Sequence, residues 1–175
     1  MSDQEVSKDD LRAILENANW APSHGLTEPW RFRIYRGGAR KALAETLGSL
    51  YERILPPDQQ KPGKADKLRE MATLAPVVML VWMERQKIQR IAEIEEIAAV
   101  VCAVQNMHLS ATARGLGAFW STPPFIYEPE MNEWMGIAPE DRCLGIFYLG
   151  HPADSGSIPK SRRRPIDDKV EWIDR

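Results

Sequence analysis

The sequence predicts a single layered domain of the α/β or α+β class, in which helices cover a sheet. Residues 30–36 alternate apolar and polar side chains, as a half-buried strand does. Residues 77–83 are apolar on both faces, which is typical of a central strand. Helical patterns lie before, between and after these strands, with connections of varied length. Such intermixing predicts a sheet packed against helices.

The predicted helices begin and end at residues that favour helix termini. Ser7 is suited to cap the first helix, because its hydroxyl can accept a hydrogen bond from a backbone N–H of the first turn. Pro56 and Pro57 end the second helical pattern, since proline lacks an N–H group and clashes with the preceding turn. The predicted elements are a helix from 8 to about 19, a strand at 30–36, a helix at 39–55, a short helix or loop at 67–74, a strand at 77–83, a helix at 93–114, a strand at 118–122, a short helix at 131–135, a strand at 143–149 and a tail from 151.

The longest predicted helix, at 93–114, carries more apolar side chains than one buried face requires. Ile97 and Val104 belong to a broad apolar stripe, and Val100 and Cys102 add apolar character outside it. A helix that is apolar nearly all round is deeply buried, or is shared between a core and a partner subunit. We therefore expect a homodimer that buries part of this helix.

Composition bounds the classes of function. The 175 residues include 43% hydrophobic and 27% charged residues with a formal net charge of −2, so no basic field favours nucleic acid or an anionic membrane. Cys102 and Cys143 are too few for a zinc site and lie in apolar stretches, which is typical of free thiols in a reducing compartment. The polar N-terminus lacks a signal-peptide pattern, and the longest apolar run, at 75–83, is too short to span a bilayer. We expect one cytoplasmic domain over residues 1–175.

The connection at 19–32 is richer than a turn between a helix and a strand requires. It contains two tryptophans, a serine, a histidine and a glutamate, and its two prolines and glycine stop regular structure. One interpretation is that Trp20 and Trp30 anchor the core while the polar residues make turn hydrogen bonds. The other is a binding loop, since loops held by a rigid scaffold often carry function.

Three stretches of this sequence resemble, in order, the FMN-dependent nitroreductase family. The loop A-P-S-H-G-L-T-E-P-W-R-F at 21–32 resembles the family signature A-P-S-x-x-x-x-(Q/E)-P-W-x-F, in the form of its small single-domain branch. The segment R-G-L-G-A-F-W-S-T at 114–122 resembles the glycine-containing segment after the family's long central helix. L-G-H-P at 149–152, followed by residues 160–166, resembles the closing pattern G-x-P … R-x-P-(L/I).

The resemblance implies a fold and an assembly. The fold is an α+β, three-layer α/β/α sandwich with a mixed, mainly antiparallel sheet and a long central helix. The family dimerises around its long helices with the flavin at the seam, so the resemblance also implies a homodimer whose tail at 151–175 packs on the partner subunit.

The resemblance further implies an NAD(P)H-dependent flavin oxidoreductase. A bound FMN takes a hydride from NADH or NADPH and reduces a small-molecule acceptor such as a nitro compound or a quinone, so no catalytic side chain or metal is required. Arg163 aligns best with the phosphate-binding position, although Arg162 and Arg164 leave the register open and a solvated basic tail is the alternative. The residues matched to cofactor contacts are Trp20, Ser23, His24, Trp120, Ser121, Thr122 and Arg163.

Two departures from the family pattern keep a second function open. Leu26 replaces the frequent asparagine of the loop, and the arginine-rich R-R-S-x-R segment that precedes the first family helix has no match in this sequence. Either the natural start lies upstream of Met1, or part of the phosphate clamp is lost; in the second case the alternative is a flavin-free binding or scaffold protein on the same fold. Gly115-x-Gly117 is not a dinucleotide loop, because it follows a helix and lacks a third glycine.

Overall fold

The computed structural model describes residues 1, 4–88, 90–153 and 163–174. The helices and strands match the sequence-based elements with small shifts at their ends, and the segment at 67–74 is a helix that already begins at Lys64. In chain order the elements are α1 Lys8–Asn19, β1 Trp30–Arg36, α2 Ala39–Ile54, α3 Lys64–Leu74, β2 Val77–Met83, α4 Glu93–Ala113, β3 Gly117–Ser121, α5 Pro129–Met135 and β4 Arg142–Gly150.

The four strands form one sheet in the order β1-β2-β4-β3, with β1 and β3 at its edges. All three strand pairings are antiparallel, so the described sheet contains no parallel pair of the kind that a mixed sheet implies. The register pairs Trp30 with Met83 and Met83 with Arg142. The connections before β1 and after β2 therefore lie at the same end of the sheet as the start of β4 and the end of β3.

Helices cover both faces of the sheet, which confirms the three-layer architecture. On one face, α1 and α4 enclose a core that includes Ile14, Val100 and Phe147. On the other face, α2, α3 and α5 enclose a second core that includes Leu47 and Tyr148. Successive side chains of β1 and β2 thus enter the two cores alternately, as expected for a sheet that is covered on both faces.

A β-bulge interrupts β4 and changes which core each side chain enters. Val81 of β2 pairs with Gly145, but the next residue, Trp82, pairs with Cys143, so Leu144 has no partner across β2. An extra residue in one strand shifts the side-chain alternation by one position. Leu144 and Phe147 consequently face the same core, although they are three residues apart.

Caps fix the ends of the two helices that frame the candidate site. Ser7 Oγ accepts a 3.0 Å hydrogen bond from the Asp10 N–H, as the sequence predicts. At the end of α4, the Gly115 and Leu116 N–H groups donate to carbonyls of the last helical turn, Thr112 at 3.0 Å and Ala111 at 2.9 Å. This pair of bonds is a Schellman cap, and it directs the chain from α4 straight into β3.

The cysteines and His108 take structural positions. Both cysteines are free thiols, and burial raises the pKa of Cys143 to about 12. The His108 ring packs edge-on against Phe147, with 4.8 Å between ring centroids, and burial lowers its pKa. Across the described residues, no helix is long and apolar enough to cross a membrane.

Candidate functional site

The loop between α1 and β1 holds an unusual backbone conformation. Leu26 has a φ of 53° and Glu28 a φ of 44°, and Gly25 before them has a φ of 62°. Non-glycine residues adopt such angles uncommonly, and strained backbone of this kind clusters at ligand clamps and other functional sites. The loop therefore has a fixed shape that a plain connection does not need.

Hydrogen bonds between backbone and side chains keep this loop in place. Ser23 Oγ accepts from the Glu28 N–H at 3.3 Å, and the Arg31 guanidinium donates to the Glu28 carbonyl at 2.9 Å. The Trp30 indole donates to Asn19 Oδ1 at 3.1 Å, which ties the two ends of the connection together. Glu28 thus anchors the loop through its backbone.

The two tryptophans of the loop have opposite environments. Trp30 is 6% exposed and packs in the core, as the sequence predicts, but Trp20 is 78% exposed and is not a core anchor. The Oγ1 of Thr27 is buried in the same loop without a hydrogen-bond partner among the described residues. Unpaired buried polar atoms are rare in native structures, so this hydroxyl is suited to a hydrogen bond with a ligand.

His24 links the loop to the first turn of α4. Its Nδ1 lies 2.9 Å from Glu95 Oε2, and both side chains are largely exposed. The hydrogen bond with His24 is the main cause that holds the pKa of Glu95 below its ordinary value. His24 therefore positions the loop against the long helix, and its second ring nitrogen is not used by this contact.

A second group of predicted site residues lies where β3 ends. The Trp120 indole donates a 3.0 Å hydrogen bond to the carbonyl of Leu144, the residue that the bulge leaves without a partner on β2. A Cβ on Gly145 would lie 2.5 Å from Trp120 Nε1 and 2.7 Å from the Ser121 carbonyl oxygen. The bulge and the glycine together let Trp120 and Ser121 pack closely on β4.

The end of β3 also lines a cavity of about 350 Å³. The cavity lies between β3 and the connection from α2 to α3, where Lys61 and Lys64 reach its rim. The side chains of Ser121 and Thr122 have no hydrogen-bond partner among the described residues, so their hydroxyls are available to a ligand.

Within one chain the structure does not bring the two groups of site residues together. The loop at 20–28 adjoins β1, whereas Trp120, Ser121 and Thr122 lie on or just after β3, at the opposite edge of the sheet. Three strand spacings of ~4.8 Å separate these edges, which corresponds to about 14 Å across the sheet. None of the described cavities is lined by residues of both groups.

An exposed apolar surface runs along α4 beside Trp20. Ile94 is 69% exposed, Val101 40% and Leu109 60%, and the helical period places all three on one side of the helix. Trp20 and Leu109 line the same shallow depression between α1 and α4. Several large apolar side chains exposed along one side of a helix are typical of an interface between proteins.

The remaining predicted contact, Arg163, lies in the C-terminal tail. It is exposed and precedes Pro165 and a short 3₁₀ turn at Ile166–Lys169. Lys160 and Arg162, which belong to the same basic cluster, lie outside the described residues. Trp172 and Ile173, nearer the end of the tail, are 78% and 77% exposed.

Comparison with known proteins decides the family. The profile described as "Nitroreductase family" matches residues 1–151, most of the chain. The chain belongs to the nitroreductase family. It is 28% identical over 156 residues to a provisionally named NAD(P)H nitroreductase of Bacillus subtilis, and the match covers 89% of this chain and 78% of the relative.

Solved nitroreductase structures have the same fold. A nitroreductase-like family protein from Bacillus cereus superposes with a TM-score of 0.80 at 30% identity, covering 99% of this chain and 89% of the other. A provisionally named nitroreductase from Desulfovibrio desulfuricans, solved in complex with FMN, superposes with a TM-score of 0.72 at 26% identity, covering 99% and 88%. These likenesses confirm the nitroreductase-like α+β fold that the sequence resemblance implies.

Sequence reasoning missed the basic rim of the cavity beside β3. Lys61 and Lys64 lie in a polar connection that carries no motif, and they meet β3 only through the packing of α2 and α3 over the sheet. Sequence reasoning also missed the orphaned Thr27 hydroxyl. Its position in the signature loop was the one available signal.

Proposed function

We propose that this protein is an FMN-dependent NAD(P)H oxidoreductase of the nitroreductase type, which reduces a nitro compound, a quinone or a similar small acceptor. The observation that carries the proposal is the strained, hydrogen-bonded signature loop, whose Thr27 Oγ1 has no partner among the described residues, in a chain of the nitroreductase family. The chemistry that FMN supplies when bound is the acceptance of a hydride from NADH or NADPH and its transfer to the acceptor.

The residues of the two groups fit the parts of FMN. Trp20 and Trp120 offer flat aromatic surfaces to the planar ring system, and the hydroxyls of Ser121 and Thr122 can donate to its polar edge. Ser23 and His24 are the loop residues that we assign to the ribityl chain and the ring. In this scheme the side chains bind and orient the cofactor, and none of them acts as an acid or base.

We further propose that the binding site is completed in a homodimer. The two groups of site residues lie at opposite sheet edges of one chain, so a two-fold axis near α4 can place the loop of one protomer beside β3 of the other. The exposed apolar surface of Ile94, Val101, Leu109 and Trp20 supports an interface along this helix. The exposed Trp172 and Ile173 support packing of the described end of the tail, residues 163–174, on the partner subunit; residues 154–162 and 175 of the predicted tail at 151–175 lie outside the described residues.

Arg163 is assigned to the FMN phosphate. A phosphate dianion is bound best by a guanidinium, which can donate two parallel hydrogen bonds. Arg163 is exposed in the tail that we place against the partner, so it can reach a site at the seam.

The test is a titration of the purified protein with FMN and with NADH or NADPH. The proposal predicts that the protein is yellow as purified or acquires bound flavin on adding FMN, and then oxidises a nicotinamide donor in the presence of a nitro compound or a quinone. A colourless protein that gains no flavin absorbance at saturating FMN contradicts the proposal and supports the flavin-free scaffold function.

A further inference from the structure

The cavity beside β3 is lined by more side chains than contact with the edge of a flavin would require. Tyr51 and Leu55 of the α2 side form one wall, and Phe119 with Pro123 and Pro124 forms the other. Its volume of about 350 Å³ lies within the range of small-molecule sites, which are about 300–1,000 Å³.

One wall is suited to a planar ring. Phe119 is 50% exposed on the edge strand, and its ring lies nearly parallel to Tyr148, at 22° with 6.3 Å between centroids. Tyr148 is buried and fixes the Phe119 ring from behind. An exposed aromatic ring held in this way offers a stacking surface to an aromatic ligand.

The opposite rim is basic and its backbone is held in place. The Lys61 N–H donates a 2.6 Å hydrogen bond to the Tyr51 hydroxyl, and Gln60 Nε2 donates to the Leu55 carbonyl at 2.7 Å. Lys64 follows at the start of α3, three residues after Lys61. The connection that carries Lys61 and leads into Lys64 of α3 is therefore anchored to α2.

Two acidic residues near the lysines are held in ion pairs with an arginine, whereas Asp58 of the same connection forms no ion pair among the described residues. Glu52 and Asp66 both pair with Arg69, at 3.0 Å and 3.2 Å. Across the described residues, neither Lys61 nor Lys64 forms an ion pair with a carboxylate. Two lysines that line a small cavity and form no ion pair among the described residues favour an anionic ligand.

We propose that this cavity is the acceptor pocket and that Lys61 and Lys64 select aromatic acceptors that carry a carboxylate or a phosphate. The inference rests on the proposed flavin-dependent function, because Trp120, Ser121 and Thr122 line both the cavity and the assigned flavin site. The acceptor ring lies against Phe119, and its anionic substituent points to the lysines. The nitro or quinone group is then directed towards the β3 end, where the flavin is assigned.

The experiment compares matched acceptors on the FMN-loaded protein. 4-Nitrobenzoate and 4-nitrobenzamide have nearly the same shape and differ in charge, and 4-nitrophenyl phosphate tests the phosphate arm. We expect KM for 4-nitrobenzoate to be lower than for 4-nitrobenzamide by about tenfold, the order expected for charge-assisted contacts at a partly open rim. Calorimetric titration of the two compounds provides a readout that does not depend on turnover.

Variants assign the preference to the lysines. Lys64→Gln and Lys61→Gln should each reduce the charged-to-neutral preference severalfold, and the double variant should abolish it. Lys67→Gln is the control, because Lys67 is a lysine exposed on the same helix, α3, but does not line the cavity. Its preference should equal that of the unmodified protein.

Three outcomes separate this inference from the function on which it rests. Failure of FMN uptake, or no reduction of either acceptor, contradicts the proposed function. Normal turnover with equal KM for both acceptors, or a preference that the double variant retains, overturns the acceptor pocket alone. If the double variant instead raises KM for NADPH but not for NADH and leaves the acceptor preference unchanged, the anion belongs to the donor and the proposal is wrong.

Discussion

Replacing Gly145 by alanine tests whether the bulge in β4 builds the site at the end of β3. Gly145 has a φ of 135°, which side chains rarely adopt, and a Cβ there would lie 2.5 Å from Trp120 Nε1 and 2.7 Å from the Ser121 carbonyl oxygen. The second contact involves backbone and cannot be relieved by a rotamer change. Gly145→Ala must therefore move the β3 backbone away from β4 and displace the Trp120 ring as well.

The structure gives the size of the effect on stability. Unfavourable φ costs about 1–2 kcal/mol, and overpacking of a close contact costs about 1–3 kcal/mol, so the free energy of unfolding should fall by about 2–5 kcal/mol. Gly136→Ala is the matched control, because Gly136 has a φ of 64° but an added Cβ would meet nothing within 4 Å. Its loss should be limited to about 1–2 kcal/mol, the cost of strain alone.

Two assays distinguish a loss of stability from a loss of cofactor binding. Urea unfolding monitored by circular dichroism measures the stability of each variant, and titration with FMN at low urea measures affinity in the folded protein. Displacement of Ser121 and Thr122 should weaken FMN binding by about tenfold, the equivalent of one lost contact of roughly 1.4 kcal/mol, only in Gly145→Ala. Equal stability and equal FMN affinity of the two variants would refute the role given to the bulge.

Three further predictions address the phosphate contact, the interface and the loop. Arg163→Ala should lower FMN affinity by about ten- to a hundredfold, since a charge-assisted bond to the phosphate contributes roughly 1.5–3 kcal/mol, and it should change the affinity for riboflavin, which has no phosphate, much less. Arg164→Ala is the control for the register, and equal losses of FMN and riboflavin affinity in Arg163→Ala contradict the assignment. Leu109→Glu should convert the proposed dimer to monomer in light scattering and reduce flavin binding with it, because it places a charge in the proposed apolar interface. A dimer of undiminished affinity would contradict a seam at α4. His24→Ala should raise the pKa of Glu95 towards its ordinary value of 4.5, measured by NMR titration. Because folding lowers the pKa of Glu95, the pair stabilises the folded protein at pH values above the pKa of Glu95 in the unfolded chain, and this stabilisation is lost as the pH falls through the pKa of Glu95 in the folded protein. A pKa of Glu95 that does not move in the variant means that the contact is absent in solution.

Elements with strong local patterns were predictable. The strands at 30–36 and 77–83 have in the structure the bounds that alternation and continuous hydrophobicity predict. Ser7 and Gly115 mark the helix ends that their chemistry predicts. The bulge in β4 was not predicted, because it depends on a pairing with β2 from another part of the chain, although an isolated glycine in a strand pattern is a common signal of one.

The sequence proposes the residues of the candidate site but could not predict how they are arranged. The motif singled out the loop and the end of β3, yet only the strand order shows that they lie at opposite sheet edges. The sequence left two roles open for Trp20, a core anchor from its residue type and a cofactor contact from the family resemblance, and its 78% exposure excludes the core. Lys61 and Lys64 were not found because the contact between the α2–α3 connection and β3 is tertiary.

The most direct measurement of the central claim is anaerobic reduction of the FMN-loaded protein, monitored by flavin absorbance. The account predicts that NADH or NADPH bleaches the flavin band and that a stoichiometric amount of a nitro compound or a quinone restores it. Bound FMN that stays oxidised with both donors, while dithionite reduces it, would contradict the proposed oxidoreductase function.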